Sequence, residues 1–188
     1  LSVPDPNVME CVECEPLKVE MIVRAYLTGV SSTSILTAYR KGERVFCGNV
    51  LAEGLEEHGP LPQPILTPTT KAPIGEHDEN VSRDEIIARN LVSAELFDAA
   101  ATYALRLFEH GQKVCAERGL ILVDTKYEFG VTKDGQLVVI DEIHTPDSSR
   151  FWFAESYEAR RHSGQSPESF DKEYLRRWPV DQGYRGEG

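Results

Sequence analysis

No run of apolar residues in this 188-residue chain approaches the ~20 needed to cross a bilayer as a helix. Positive charge is also scarce: Lys and Arg total 20 against 31 Asp and Glu, a formal net charge of −11 at pH 7. That balance argues against nucleic-acid binding through an extended basic surface. It leaves room for small anions, because a few cations can build a local positive pocket in an acidic protein. The cysteines do not complete a four-thiolate zinc site. Cys11 and Cys14 have metal or redox spacing, but Cys47 and Cys115 stand singly, so reduced thiols are expected. The opening residues lack the apolar core of a signal peptide, and there is no internal repeat or low-complexity tract. The expectation is a cytoplasmic protein that uses neither membrane nor nucleic acid.

What is present is ordinary for a soluble globular chain, with 40% hydrophobic and 27% charged residues. The length allows one sizeable core or two small lobes. Residues 17–26 alternate and are rich in β-branched side chains, which reads as a strand with Glu20, Ile22 and Arg24 on one face. An arginine pointing to an interior wants an anion. Residues 28–34 are small and hydroxyl-rich, suited equally to phosphate or to a simple turn, and residues 34–39 form one or two helical turns. The prolines between Gly54 and Pro73 exclude regular helix. Ser82-Arg-Asp-Glu85 is a capping box opening a short helix. Ser93 caps a long one through Arg118 with a broad apolar stripe that includes Cys115, and Gly119 stops it. Residues 170–178 read as a second amphipathic helix ended by Pro179.

The chemistry concentrates in residues 124–152. Asp134-Gly135 signals a tight hairpin turn, and counting from a two-residue tip sets Val131 opposite Val138, Phe129 opposite Ile140, and Glu128 opposite Asp141. Opposed residues share a face at roughly 4.5–5.5 Å between Cβ atoms, so two carboxylates there invite a cation. Alternation adds Asp124 and Lys126 to the face of Glu128. Carboxylates that leave positions for water and phosphate are how proteins hold Mg²⁺ in nucleotide sites. A solvated acidic pair is the plain alternative for the hairpin taken alone.

The segments Val123-Asp-Thr-Lys-Tyr-Glu-Phe-Gly130 and Ile140-Asp-Glu-Ile-His-Thr-Pro-Asp-Ser-Ser-Arg-Phe-Trp152 resemble the phosphoribosylaminoimidazole-succinocarboxamide synthase (SAICAR synthetase) family. Val23-Arg-Ala-Tyr-Leu-Thr-Gly29, Leu66-Thr-Pro-Thr-Thr-Lys-Ala72, Gly75-Glu-His-Asp-Glu-Asn80 and, more weakly, Phe170-Asp-Lys-Glu-Tyr-Leu-Arg-Arg-Trp178 follow in the family's order. The resemblance implies an ATP-dependent ligase of purine biosynthesis that joins carboxyaminoimidazole ribonucleotide to L-aspartate, releasing ADP and phosphate. It implies an α+β, two-lobed, kinase-like or ATP-grasp-like fold with ATP and Mg²⁺ as cofactors. The metal ligands would be Glu128 and Asp141, with Lys126 beside the nucleotide phosphates. Lys126, Asp124 and Asp147 would be the catalytic residues. Arg24 and Arg150 would grip the ribonucleotide phosphate, with Ser31 and Ser148 assisting, and Lys71, His77 and Asp78 would lie nearest the aspartate.

Two departures stand out. Val30 occupies a position where some family members carry a phosphate-binding serine, so Ser31 or Ser32 is expected to substitute. No Gly-Lys-Val-Arg-Asp type turn precedes Leu17, and the chain opens on Leu1. The expectation is an incomplete N-terminal antiparallel lobe. Residues 1–16 are then a remnant of the ATP-binding lobe and hinge, and residues 17–188 the larger lobe. A non-catalytic nucleotide- or substrate-binding fragment is the rival reading, and a kinase-like phosphotransferase with the same metal hairpin is a second. The oligomeric state is open, a homo-oligomer included.

Overall fold

The computed structural model describes residues 7, 8, 10–71 and 78–172. Its first half contains β1 (Cys14–Pro16), β2 (Val19–Tyr26), α1 (Ile35–Arg40), β3 (Val45–Phe46), β4 (Asn49–Val50), β5 (Pro60–Leu66) and β6 (Thr69–Thr70). Its second half contains α2 (Arg83–Ala88), α3 (Ala94–Ala116), β7 (Leu120–Thr132), β8 (Leu137–Ile140), β9 (Ser149–Phe153) and α4 (Ala154–His162). The α+β expectation holds. Among the described residues no helix is long and apolar enough to cross a membrane.

The 13-residue strand β7 is the spine. It pairs antiparallel with β1, β2, β8 and β9, while β2 carries β5 and β6, giving a seven-stranded sheet. Alternation in β2 appears as read: Val19, Met21 and Val23 are buried, and Glu20, Ile22 and Arg24 share the other face. The buried face packs on α3 through Phe97, Ala100, Ala104 and Phe108, joined by Tyr127 and Phe129 of β7. Apolar area removed from water drives this contact, at about 25 cal/mol per Å². The opposite face of β2 and β7 therefore carries the polar groups.

Local signals placed α1, α2 and α3. Ser34 caps α1, Ser82 and Glu85 form the reciprocal capping box of α2, and Ser93 caps α3. The helix α3 ends two residues before the expected Arg118, and Gly119 follows at φ +70°. The proline-rich segment is not a mere connector: β5 is an edge strand on β2, a position where missing N–H donors cost no ladder bond.

The 128–141 hairpin needs correction. Glu128 faces Ile140, Phe129 faces Val139, Gly130 faces Val138 and Val131 faces Leu137. Every pair is shifted by one residue from the two-residue-tip register. The loop holds three residues, closed by Thr132 N–H donating to the Gln136 carbonyl and Gly135 N–H donating to the Thr132 carbonyl. Gly135 sits at φ +79°, the left-handed residue of a three-residue hairpin loop. Asp141 thus lies beyond the strand, at φ +63°.

Unforeseen elements are β1, the β3–β4 hairpin, β9 and α4. Residues 173–178 of the last expected helix lie outside the described residues, as do residues 1–6.

Candidate active site

The site is built on the polar face of β2, β7 and β9. Cross-strand registry places Arg24 opposite Asp124 and Asp124 opposite Arg150, so three charged residues stand in one row. Arg24 donates to Asp124 Oδ2 at 2.9 Å and Arg150 donates to the same oxygen at 2.7 Å. Asp124 is 4% exposed. Burial, working against the attraction of Asp124 and with the repulsion of Arg150, lowers the pKa of Arg24 from its ordinary value. Two guanidiniums on one carboxylate leave a formal positive excess, which suits an anion. Arg24 also donates to Thr67 Oγ1 at 2.9 Å, which fixes its plane. Beside this row lies a cavity of about 200 Å³ lined by Ile22, Arg24, Lys126, Asp147, Arg150 and Lys172, among others.

One step along β7 stands a second, oppositely charged cluster. The Lys126 ammonium donates to Glu128, to Asp141 at 3.3 Å and to Glu20 at 3.4 Å. Lys71 donates to the other oxygen of Glu128. Thr69 Oγ1 donates to Glu20 at 3.2 Å, tying β6 to the cluster. Two ammoniums against three carboxylates leave a formal negative excess. Burial alone would lower the Lys126 pKa, but the bond to Glu128 and the charges of Glu20 and Glu128 outweigh it and raise it above the usual lysine range. Burial opposes ionisation of Glu128, yet its bonds to Lys126 and Lys71 hold its pKa below the usual carboxylate value.

Glu128 and Asp141 converge, although not as a directly opposed pair. They share the ammonium of Lys126. Among the described residues no three His, Cys, Asp or Glu side chains are grouped to hold a metal by themselves. The donor set nevertheless fits Mg²⁺: two hard carboxylates at a point of formal negative excess, with further positions for water and phosphate.

The loop after Asp141 is held by its own hydroxyls. Thr145 N–H donates to Ser148 Oγ at 3.2 Å, Ser148 N–H donates to Thr145 Oγ1 at 3.3 Å, and Thr145 Oγ1 donates to Glu142 at 2.6 Å. Lys126 N–H donates to the Ser148 carbonyl at 3.0 Å, so the loop docks on β7. Asp147 is exposed and receives Lys172 Nζ at 3.0 Å.

Of the expected residues, the structure brings Arg24, Lys71, Asp124, Lys126, Glu128, Asp141, Asp147, Ser148 and Arg150 to this face. Ser31 is not among the residues lining the cavity; it is exposed, with its hydroxyl 3.4 Å from Thr33 Oγ1. Its backbone carbonyl is spent on Ser34 and Thr37, which starts α1. Asp78 is exposed next to Glu79, whose carbonyl accepts from Thr70 N–H, and His77 lies outside the described residues. Sequence reasoning missed Glu20, Thr67 and Lys172. Glu20 was visible by alternation, two residues from Ile22 on the arginine face. Lys172 had no local signal, because only the fold brings residue 172 beside residue 147.

The chain is similar to known proteins both in sequence and in fold. A family model described as SAICAR synthetase matches residues 1–187. The phosphoribosylaminoimidazole-succinocarboxamide synthase of Flavobacterium psychrophilum is 48% identical over 187 residues, covering 100% of this chain and 58% of that protein. The enzyme of that name from Legionella pneumophila (strain Lens) is 49% identical over 181 residues, covering 96% and 57%. Among solved structures, the SAICAR synthase of Saccharomyces cerevisiae complexed with SAICAR superposes with a TM-score of 0.74 at 34% identity, covering 93% of this chain and 53% of that one. A type-2 SAICAR synthetase in complex with ADP gives 0.64 at 27% identity, covering 87% and 57%. The chain spans a little over half the length of the curated relatives it matches.

Proposed function

The chain belongs to the SAICAR synthetase family, and from that premise we propose that it serves the ATP-dependent joining of carboxyaminoimidazole ribonucleotide to L-aspartate, with release of ADP and phosphate. One observation carries the reading: a single strand face, Asp124-Lys126-Glu128, joins an anion-seeking end to a cation-seeking end.

A carboxylate is a poor electrophile, so amide formation needs an oxygen made into a leaving group. Transfer of the ATP γ-phosphoryl to the substrate carboxylate does this, and the aspartate amine then attacks the carbonyl carbon as phosphate departs. Such catalysis rests on positioning and on neutralising phosphate charge. Arg24 and Arg150 grip the distant ribonucleotide phosphate. Binding energy from that non-reacting group then orients the reacting carboxylate. Asp124 is a positioning residue, because both of its neighbours are guanidiniums that it aims. Lys126, between the two ends, sits beside the transferring phosphoryl group. Glu128 and Asp141 would hold Mg²⁺, which when bound neutralises nucleotide phosphate oxygens. Lys71 lies where the aspartate carboxylates need a cation, and Asp147 faces the imidazole from its loop. In this scheme residues 17–188 are assigned to the larger lobe, and residues 1–16 to a remnant of the ATP-binding lobe and hinge.

The test is ADP release by the purified protein with each substrate omitted in turn. ADP release that requires both aspartate and the ribonucleotide supports the ligase. Release independent of aspartate points to a phosphotransferase. The partial coverage of its relatives favours one further comparison: binding of both nucleotides by calorimetry without turnover identifies a binding fragment.

A further inference from the structure

We propose that His144, seated on Gly111 of α3, is a positioning residue that fixes Asp141 and so the nucleotide and metal end of the site. The inference rests on the ligase reading above.

Gly111 lies well inside a 23-residue helix, where glycine is disfavoured because its backbone loses most freedom. Its φ is not positive, so it is not there for a turn. The reason is contact. A Cβ at this position would come within 2.4 Å of His144 Cε1 and 2.8 Å of both ring nitrogens. The imidazole lies directly on the helix backbone, and only glycine allows it. The ring is also held from the sheet side: His144 Nε2 shares a 2.5 Å hydrogen bond with the hydroxyl of Tyr127, and the two rings meet edge-on with centroids 5.6 Å apart.

Tyr127 is fully buried on β7 between Lys126 and Glu128. Its side chain points into the core while theirs point to the site. The histidine therefore clamps its loop to the same strand segment that carries the catalytic face. Among the described residues, Asp141, three residues upstream, is the one side-chain partner of Lys126 that is on no strand, and it holds φ +63°, as His144 holds φ +55°. Both are conformations a residue with a Cβ adopts reluctantly. Two such residues close together need an outside anchor, and the seat on Gly111 supplies one. Loop hydroxyls downstream of His144 bind one another and, through Thr145 Oγ1, the side chain of Glu142, but none of these bonds is made to Asp141 itself.

Two variants test it. His144→Phe keeps a ring and removes the bond to Tyr127; Gly111→Ala leaves every polar group intact and pushes the ring out. Both are expected to weaken Mg-ADP binding on calorimetry and to raise the magnesium concentration for half-maximal binding about tenfold, the usual scale for residues that orient ligating groups. Ribonucleotide affinity, held by strand-borne arginines, stays within about twofold by the same reasoning. His144→Gln, which restores a polar partner for Tyr127, should recover part of the loss. Amide exchange of residues 141–144 should accelerate in both primary variants. Wild-type protein that fails to bind Mg-ADP overturns the parent reading. Wild-type that binds it, with His144→Phe and Gly111→Ala binding equally well despite lower melting temperatures, overturns this inference alone and makes His144 ordinary core.

Discussion

Arg24 and Arg150 come from strands on opposite sides of β7, separated by 126 positions in sequence, yet both donate to one oxygen of Asp124. Their guanidiniums would repel without that carboxylate. One carboxylate oxygen thus ties together the strands on both sides of β7.

Replacing Asp124 with Asn should be costly in two ways. Breaking a buried ion pair by removing one partner destabilises a protein by roughly 3 kcal/mol or more, and here two like charges remain. A fall in the urea midpoint and a weaker ribonucleotide complex are expected together. An unchanged midpoint would mean the guanidiniums find other partners.

Arg150→Ala should weaken the ribonucleotide far more than ATP. A charge-assisted bidentate contact is worth about 1.5–3 kcal/mol, or about ten- to a hundredfold in Kd. Calorimetry on each ligand separately gives the answer, and equal losses for both would remove the phosphate-clamp role.

Glu128→Gln keeps the shape of the side chain and removes its charge. The lysines would then face two carboxylates instead of three, and the Lys126 pKa, raised chiefly through Glu128 against burial, should fall. Turnover should drop by at least about a hundredfold, in line with loss of a metal ligand, and nucleotide binding should lose its magnesium dependence. Normal magnesium dependence in this variant would contradict the ligand assignment.

Stability should fall on the acid side through His144. Burial first, and the nearby charge of His110 second, hold its pKa below the ordinary imidazole value. The unfolded chain therefore binds a proton that the folded chain refuses. This contribution is present above the unfolded pKa of about 6.5 and is lost as pH falls through and below it, by at most about 1.4 kcal/mol per pH unit. Urea midpoints measured from about pH 8 down to about pH 5 should decline in the wild type and decline less in His144→Asn.

The core makes a simpler prediction. Phe108 is fully buried against β2 and β7, and Phe108→Ala should cost about 3–5 kcal/mol. Denaturant unfolding measures it directly, and a loss below about 1 kcal/mol would imply that the site collapses to fill the cavity.

Helix starts were legible because capping is local. Ser82 and Glu85, or Ser93 ahead of an apolar stripe, specify an N-terminus without reference to the rest of the chain. The helix α4 escaped notice because Phe153 precedes it without any side-chain cap. Its one signal was charge, Glu155 in the first turn and Arg160, Arg161 and His162 in the last, which complements the helix dipole. The hairpin register failed for a related reason. Asp-Gly fits both a two-residue and a three-residue loop, and one extra loop residue slips every pair by one.

Alternation with a period of two, by itself, determined that Asp124, Lys126 and Glu128 share a face, and that Glu20 and Arg24 share another. It could not say that the two faces are the same face. That was decided when β2 paired with β7 and β9 closed on the other side, because pairing between distant strands depends on the whole core and not on nearby residues. The meeting of Arg24, Asp124 and Arg150 belongs to the tertiary structure, as does the seat of His144 on a helical glycine. Each joins groups whose separation in sequence leaves no local trace, and each exists only once burial of the apolar face has fixed the strands and α3 in place.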